Sequence, residues 1–388
     1  MDFRWTPDQQ EFRQEIRAFL DQELPREARS PVAEEGRSPE FSRKLGQKGW
    51  IGLAWPKEYG GRGLGYLDRL IYAEEMVLSG APIGYHHVAE RQMGPSLIQF
   101  GSHEQKRFFL PLIARGECSF AIGYSEPDGG SDLASLKTIA VQDGDDFVVT
   151  GTKLWNNAHK CDYLWLAART NPHVPKHKGL SVFIVDLAGR APGLEIRPLP
   201  NMLGEPGFCE VVFNGFRLPK TALVGERDQG WYIIAGNLDF ERAGIERVGR
   251  FYPLWKEFLA FLRGSAPGPR PLTVDPLIRH QVAERQIEFE AGRLIAYKVA
   301  DELDKGRIPN REASISKLFG TETAQRMART MLEALGLYGQ LAPGSPYAPL
   351  AGRVERAWLY AFSLTIAAGT SEILRNVIAL RGLGLPRG

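Results

Sequence analysis

The chain has 388 residues, enough for two or three domains of ordinary size. Its 48 Lys+Arg and 46 Asp+Glu leave a formal net charge of +2, so there is no electrostatic footprint for nucleic acid or an anionic membrane. With 43% hydrophobic and 24% charged residues, the composition excludes a disordered chain, a collagen and a small disulfide scaffold, and points to a globular protein with an ample core.

The opening Met1-Asp2-Phe3-Arg4-Trp5 lacks the basic-then-apolar order of a signal peptide. Thr6-Pro7-Asp8-Gln9 then reads as an N-cap, a first-turn proline and a capping-box Gln. Phe12, Ile16, Phe19 and Leu20 follow on one apolar helix face. After the glycine-rich Tyr59-Gly60-Gly61-Arg62-Gly63, helical patterning continues to about Gly116. The middle changes character. Asp143-Gly144 is a turn signal, and Phe147-Val148-Val149-Thr150 after it reads as a strand. Tyr163 to Ala168, Leu180 to Asp186, Leu194 to Leu199 and Val211 to Leu218 are further short strands between Gly, Pro and Asn punctuation.

From about Gln229 four long helical segments follow: Trp231 to Gly264, Pro276 to Lys305, Arg311 to Leu337 and Val354 to Leu383. Asp275-Pro276 marks a helix start, Gly264 and Gly306 mark stops, and Pro267-Gly268-Pro269 reads as a loop between two of the helices. The expectation is an α+β chain: an N-terminal helical domain (1–118), a middle antiparallel β-barrel or sandwich (119–228) and a C-terminal four-helix bundle (229–388).

No apolar run approaches the roughly 18–20 residues that span a bilayer. The longest, Trp358 to Ala368, reads as a buried helix. Cys118, Cys161 and Cys209 match no metal knuckle or redox motif, and so low a count suits a reducing cytosol, giving a cytoplasmic expectation. His173 and His177 have helical ligand spacing, but Pro172 and Pro175 argue against a helix there, so no metal site is expected.

Three segments carry chemistry. In Gly123-Tyr124-Ser125-Glu126-Pro127-Asp128-Gly129-Gly130-Ser131-Asp132-Leu133, two glycines among hydroxyl residues can present N–H and O–H donors to an anion or a polar heterocycle. Read alone, the segment also fits a well-capped surface turn. Ala367-Ala368-Gly369-Thr370-Ser371-Glu372-Ile373-Leu374-Arg375-Asn376 offers a tight turn with hydroxyl donors, or equally a Ser/Thr helix cap. The third is a stripe, Ile234, Leu238, Ile245 and Val248, with Glu241 set into the same apolar face. Burial raises a carboxyl pKa, and a raised carboxylate suits a general base acting on a weak carbon acid. A buried ion pair with a neighbouring arginine fits the pattern as well.

Together these segments resemble the acyl-CoA dehydrogenase family over essentially the whole chain. The first looks like the family's first signature and the second like its C-terminal Gly-Thr-Ser-x-Ile motif. The resemblance extends to Asp2-Phe3 through Arg17-Ala18-Phe19-Leu20, to Val211-Val212-Phe213-Asn214-Gly215-Phe216-Arg217-Leu218-Pro219 and to Leu383-Gly384-Leu385-Pro386-Arg387. It implies an FAD-dependent enzyme, usually a tetramer with FAD at subunit interfaces. A base removes the α-proton of an acyl-CoA thioester while the β-hydrogen leaves as hydride to flavin N5.

By that resemblance Ile122 and Ser125 meet the flavin pyrimidine, Gly130 and Ser131 the pyrophosphate, and Trp155 the flavin ring. Thr370 and Glu372 meet the adenosine and phosphate part, and Glu333 and Gly336 the FAD of a neighbouring subunit. The oxyanion N–H falls at Ala368, just before Gly369. Short- and medium-chain members carry their catalytic Glu at that position, and this chain does not. Isovaleryl- and long-chain-type members place it in a Leu-Asp-x-Glu-Arg context, which Leu238-Asp239-Phe240-Glu241-Arg242 matches, making Glu241 the base.

Three departures stand out. Asn157 takes the place of the Thr or Ser that bonds flavin N5, in a loop one residue shorter. The Arg-x-x-Phe-Gly motif is absent, its region Ser265 to Pro271 holding only Arg270 as a base. Glu replaces the usual Gln at 333 and 372. Such losses resemble bacterial members acting on steroid side chains or other bulky acyl-CoAs, some of them heteromers. The expected partners are an acyl-CoA substrate, an electron-transfer flavoprotein as acceptor, and a homotetramer or a heterotetramer with a related subunit. A flavin-poor scaffold subunit and an oxygen-using acyl-CoA oxidase on the same fold are the alternatives.

Overall fold

The computed structural model describes residues 4–25, 28–29, 36–189, 191–242, 244–264, 275–307 and 309–386, with the backbone alone at 238–242. Five helices come first: α1 (Pro7–Glu23), α2 (Pro39–Gln47), α3 (Tyr66–Ser79), α4 (Gly94–Phe100) and α5 (His103–Ala114). Strands follow: β1 (Phe120–Gly123), β2 (Ile139–Asp143), β3 (Asp146–Asn156), β4 (Tyr163–Arg169), β5 (Leu180–Asp186), β6 (Leu194–Pro200), β7 (Pro206–Pro219) and β8 (Leu223–Val224). Helices return as α6 (Gly230–Arg242), α7 (Glu246–Gly249), α8 (Tyr252–Gly264), α9 (Pro276–Asp304), α10 (Asn310–Leu335), α11 (Arg353–Leu364) and α12 (Ser371–Val377). The chain forms two compact units. A helical unit comprises Met1–Gly36, Leu64–Ile83 and Arg242–Gly388, and a sheet unit comprises Arg37–Gly63 and Gly84–Glu241.

In the helical unit, Thr6 caps α1 as its sequence foretells. Its hydroxyl accepts from the Gln9 N–H at 3.2 Å while the Gln9 side chain accepts from the Thr6 N–H. Ile16, Phe19 and Leu20 are buried, and Phe12 is half-buried. Asp275 caps α9 through the Leu277 N–H at 2.8 Å, and Gly306 ends it with φ +71°. The bundle core is built by Phe251, Trp255 and Phe258 with Met327 and Met331 of α10 and Val354, Ala357 and Ala361 of α11; Ile278 and Val282 of α9 pack against it. Beside it, Tyr252 stacks on Phe289 with ring centroids 3.9 Å apart. A Cβ on Gly292 would lie 2.7 Å from Val248, so the glycine lets α9 approach α7 closely.

Two expected helices are broken. The segment from Trp231 to Gly264 divides at Gly244, whose φ of +149° no β-carbon tolerates well, so α6 ends at Arg242 and α7 starts at Glu246. The stripe from Ile234 to Val248 is therefore not one helix face. Likewise α11 stops at Leu364 and α12 begins at Ser371, so Trp358 to Ala368 is not a single buried helix, and Ile366 is 65% exposed. Pro267-Gly268-Pro269, Arg270, Asp2-Phe3 and Arg387 lie outside the described residues.

A carboxylate in the helical core ties three helices together. Glu74 of α3, with no solvent exposure, accepts from Arg13 Nη2 at 2.7 Å, Arg293 Nε at 2.7 Å and the Tyr297 hydroxyl at 2.6 Å. Burial alone raises its pKa. The hydrogen bonds from Arg293 and Tyr297 and the charges of Arg293 and Arg13 outweigh that and hold it below the usual carboxylate range.

The sheet unit carries a sheet in the order β6-β7-β3-β2-β4-β5-β8, with β1 on β4. Most neighbours are antiparallel, as expected, but β1 runs parallel to β4, and β2 meets β4 only through the parallel pair Ile139 and Arg169. That single link leaves a sandwich-like sheet, not a closed barrel. Phe147 of β3 meets Phe183 of β5 edge-on at 5.0 Å in a core shared with Val149, Leu164, Val185, Val211 and Phe213.

Glu74→Gln is expected to cost about 3–5 kcal/mol near neutral pH, because it leaves two arginines facing an uncharged group. The folded pKa of Glu74 lies below its unfolded value of about 4.3, so its contribution is fully present above that pH and is lost as pH falls through the folded pKa. Thermal melts across acid pH should show a steep limb in the parent protein and a flatter one in Glu74→Gln. A variant that melts with the parent at neutral pH would contradict this role.

Candidate active site

β1 delivers the first glycine-serine segment. Ile122, half-buried, sits in register with Trp165, and the chain leaves the strand after Gly123. The loop then closes on itself: the Glu126 N–H donates to Gly129 O at 2.9 Å and the Gly129 N–H to Glu126 O at 3.1 Å. Lys153, fully buried on β3, holds the base of this loop. Its ammonium donates to Tyr124 O at 3.1 Å and to Glu126 Oε1 at 2.8 Å. Glu126 also accepts from the backbone N–H groups of Lys137 at 2.5 Å and Thr138 at 2.8 Å. Burial pushes Lys153 down to about 8, and Glu126, raised by burial, is held below the usual range by Lys153 and these hydrogen bonds; the pair is ionised at neutral pH.

The same strand presents the aromatic candidate. The pairing of β3 with β7 slips between Lys153 and Asn156, a β-bulge, and inside it Trp155 adopts φ +61°. Its indole is 61% exposed, with its edge on Phe208 at 5.8 Å. The Leu154 N–H donates to Ser125 O at 2.9 Å, which ties the bulge to the glycine loop. Ser125, Gly130, Ser131, Trp155 and Asn157 are thereby brought onto one connected scaffold.

The scaffold leaves open backbone and an amide donor for a polar group. A Cβ on Gly129 would meet nothing within 4 Å, and one on Gly130 only Ser125 Oγ at 3.5 Å, so the backbone there faces open space. Asn156 Nδ2 is buried without a hydrogen-bond partner among the described residues, next to Asn157.

Helix α6 is fixed to the same unit by Asn237, fully buried. Its side-chain oxygen accepts from Trp165 Nε1 at 3.0 Å and Tyr124 OH at 2.9 Å, and its nitrogen donates to Gln92 O at 2.9 Å and to Ser96 Oγ. Glu241 lies four residues further along the same helix, in its last turn; its side chain is outside the described residues.

In the helical unit, Ala368 occupies the turn between α11 and α12 with φ +58°, followed by Gly369 at +91°. Thr370 is the N-cap of α12, its hydroxyl accepting from the Ile373 N–H at 3.2 Å, so the cap reading of this segment holds. Glu372 is exposed and held below the usual carboxylate range by its own backbone N–H and by the Thr370 hydroxyl. Glu333 is exposed and paired with Arg329 at 2.7 Å, and Gly336 ends α10 with φ +57°.

Sequence reading misses Lys153, Glu126, Asn237 and Lys317, the residues that hold the site's backbone. Two leave a signal. Lys153 has the parity of Phe147 and Val149, the core face of β3. Lys317 falls on the buried Ala313, Gly320 and Ala324 stripe of α10.

Family models agree along the chain. Those described as the acyl-CoA dehydrogenase N-terminal, middle and C-terminal domains match residues 6–117, 121–216 and 228–383. Acyl-CoA dehydrogenase FadE26 of Mycobacterium tuberculosis is 36% identical, covering 100% of this chain and 99% of its own length. The solved structure of the Tcur3481-Tcur3483 steroid ACAD superposes with a TM-score of 0.90 at 37% identity, covering 100% of both chains. The ChsE4-ChsE5 complex from Mycobacterium tuberculosis gives 0.87 at 36% identity, again with 100% coverage of both.

Asn237→Leu keeps the side chain's bulk but takes the acceptor from Trp165 Nε1, which is fully buried. The expected loss is about 1–3 kcal/mol, the cost of one unsatisfied buried donor. Urea unfolding of the purified protein checks it; an unshifted midpoint would contradict the anchoring role.

Proposed function

The chain belongs to the acyl-CoA dehydrogenase family, and we propose that it dehydrogenates bulky or branched acyl-CoA thioesters, with Glu241 as the base. It is an oxidoreductase acting on a CH–CH bond, in a family that is flavin-dependent in general. The observation that carries the assignment of the base is a pairing of residues. Ala368 stands before Gly369, where a carboxylate would otherwise serve, and Glu241 stands on a helix that Asn237 anchors.

Our reading of the binding scaffold follows the family resemblance, residue by residue. Ile122 and Ser125 take the pyrimidine edge of FAD, Gly130 and Ser131 the pyrophosphate through N–H and O–H donors, and Trp155 and Asn157 the flavin ring. Thr370 and Glu372 serve the adenosine side. Glu372 is anionic at neutral pH, which favours hydrogen bonds to ribose hydroxyls over phosphate. Glu333 and Gly336 reach FAD of a neighbouring subunit. Bound FAD supplies the acceptor for the hydride that leaves the β-carbon. The protein's own part is acid–base work: the Glu241 carboxylate takes the α-proton, the C–H electron pair passes toward the thioester, and the Ala368 N–H donates to the oxygen where negative charge builds.

Two supports bear on substrate and assembly. One solved relative is named a steroid enzyme, and the methyl of Ala368 leaves room beside Gly369, which favours bulky or steroid-side-chain acyl groups. Both solved relatives are named as pairs of proteins, Tcur3481-Tcur3483 and ChsE4-ChsE5. Here Leu337, 81% exposed, and Tyr347, 74% exposed, leave apolar surface in the segment after Gly336. A heterotetramer with a related subunit is the assembly we propose, with an electron-transfer flavoprotein as acceptor.

Glu241→Gln is expected to lower turnover at least about 10³-fold, within the range general-base catalysis supplies, while the visible flavin absorbance of the protein stays unchanged. Undiminished turnover would overturn the assignment. A kinetic panel of straight-chain, branched and steroid-side-chain CoA esters should favour the bulky ones; a clear preference for butyryl or octanoyl substrate would contradict the substrate class.

A further inference from the structure

We infer that Lys317 is a positioning residue for the oxyanion donor at Ala368, an inference that rests on the role given to Ala368 above. Lys317 sits in the middle of α10 with no solvent exposure. Its ammonium donates to Leu364 O at 3.0 Å and to Gly369 O at 2.7 Å. These carbonyls lie on either side of the turn that contains Ala368. Leu364 is the last residue of α11, so its carbonyl is one of the orphans every helix leaves at its C-terminus. The Gly369 carbonyl immediately precedes the N-cap of α12. One buried charge therefore staples the end of one helix to the start of the next.

The turn between them is tightly specified. The N–H groups of Ile366 and Ala367 both donate to Ser363 O, at 3.1 and 2.9 Å, and the Ser371 N–H donates to Thr365 O at 3.0 Å. Ala368 is left in the left-handed region at φ +58°, which an L-residue adopts only where its surroundings over-determine it. Among the described residues its N–H meets no protein acceptor, while the N–H groups of Ile366, Ala367 and Ser371 are engaged. The lysine thus holds the backbone in the one conformation that presents this N–H, and as a cation it reinforces a donor aimed at developing negative charge.

A plain helix staple would lower stability when removed; a positioning residue also changes the acidity of the bound thioester. The test uses the full-length, FAD-loaded protein with any subunit that copurifies. Lys317→Met should lower kcat about 100-fold with KM within about threefold, the scale of a misplaced oxyanion donor. With a β-thia acyl-CoA, which ionises but cannot be dehydrogenated, the pH midpoint of enolate formation should rise by about two units, the same factor read as acidity. Amide hydrogen exchange across 365–370 should speed up while that of α1 does not. Lys317→Arg, which keeps cationic donors, should recover part of the kcat. If Lys317→Met does not fold, Lys317→Gln replaces it with the same expectations. An unmoved midpoint overturns the proposal, whether kcat is retained or falls together with flavin content. The midpoint reports acidity and not the base, so it separates this claim from the Glu241 assignment: a Glu241→Gln variant with full turnover would remove the base and leave the Lys317 result standing.

Discussion

A buried ammonium group is tolerated only where oxygens replace the water it has lost, and among the described residues two lysines meet that condition. Lys153 places its charge on Tyr124 O and the Glu126 carboxylate; Lys317 places its charge on Leu364 O and Gly369 O. Neither lysine reaches solvent, and each draws together stretches of backbone that are distant in sequence. The loops proposed to carry the chemistry lie outside the regular strands and helices. What holds them is the demand of one charge for carbonyl and carboxylate partners.

The backbone conformations next to these charges show what is being held. Trp155, two residues from Lys153, and Ala368, one residue before a carbonyl bonded by Lys317, both adopt positive φ. Non-glycine residues in that region are uncommon, and they cluster where a strained conformation is part of the function. At Trp155 the strain sits in a bulge that turns a large ring outward, to 61% exposure. At Ala368 it frees an N–H that a helical turn would have consumed. In the proposed site both would be forms of preorganisation, with the geometry set during folding and none of the reaction's driving force spent assembling it. Asn237 does the corresponding work for α6, satisfying four groups in the core one turn before Glu241.

The parts of the fold legible in the sequence are those set by local rules. The Thr6–Gln9 capping box, the Asp275 cap and β4, β5 and β6 need only neighbouring residues to specify them. Non-local constraints are not legible. β1 is four residues long and pairs in parallel with a strand some forty residues on, so no periodicity announces it. β2 escapes a sequence reading even though the Asp143-Gly144 turn that joins it to β3 is plain. The break at Gly244 falls inside an unbroken apolar period, where a glycine alone does not decide between continuation and a stop. The site residues that sequence singles out are those that resemble a family's contacts. The lysines, Glu126 and Asn237 escape because charged and amide residues ordinarily belong to the surface, and only their parity on a strand or helix face hints otherwise.

Acyl-CoA dehydrogenation removes a proton and a hydride from adjacent carbons of the thioester, in a family that is flavin-dependent in general. The most direct measurement is anaerobic mixing of the purified yellow protein with a bulky acyl-CoA, in unlabelled, α-deuterated and β-deuterated forms, while the flavin absorbance is followed. The expected result is bleaching by one two-electron equivalent per flavin, slowed by deuterium at either carbon, with the α,β-unsaturated thioester as product. A protein that retains no flavin after reconstitution with FAD, or a flavin that no acyl-CoA bleaches, would contradict it.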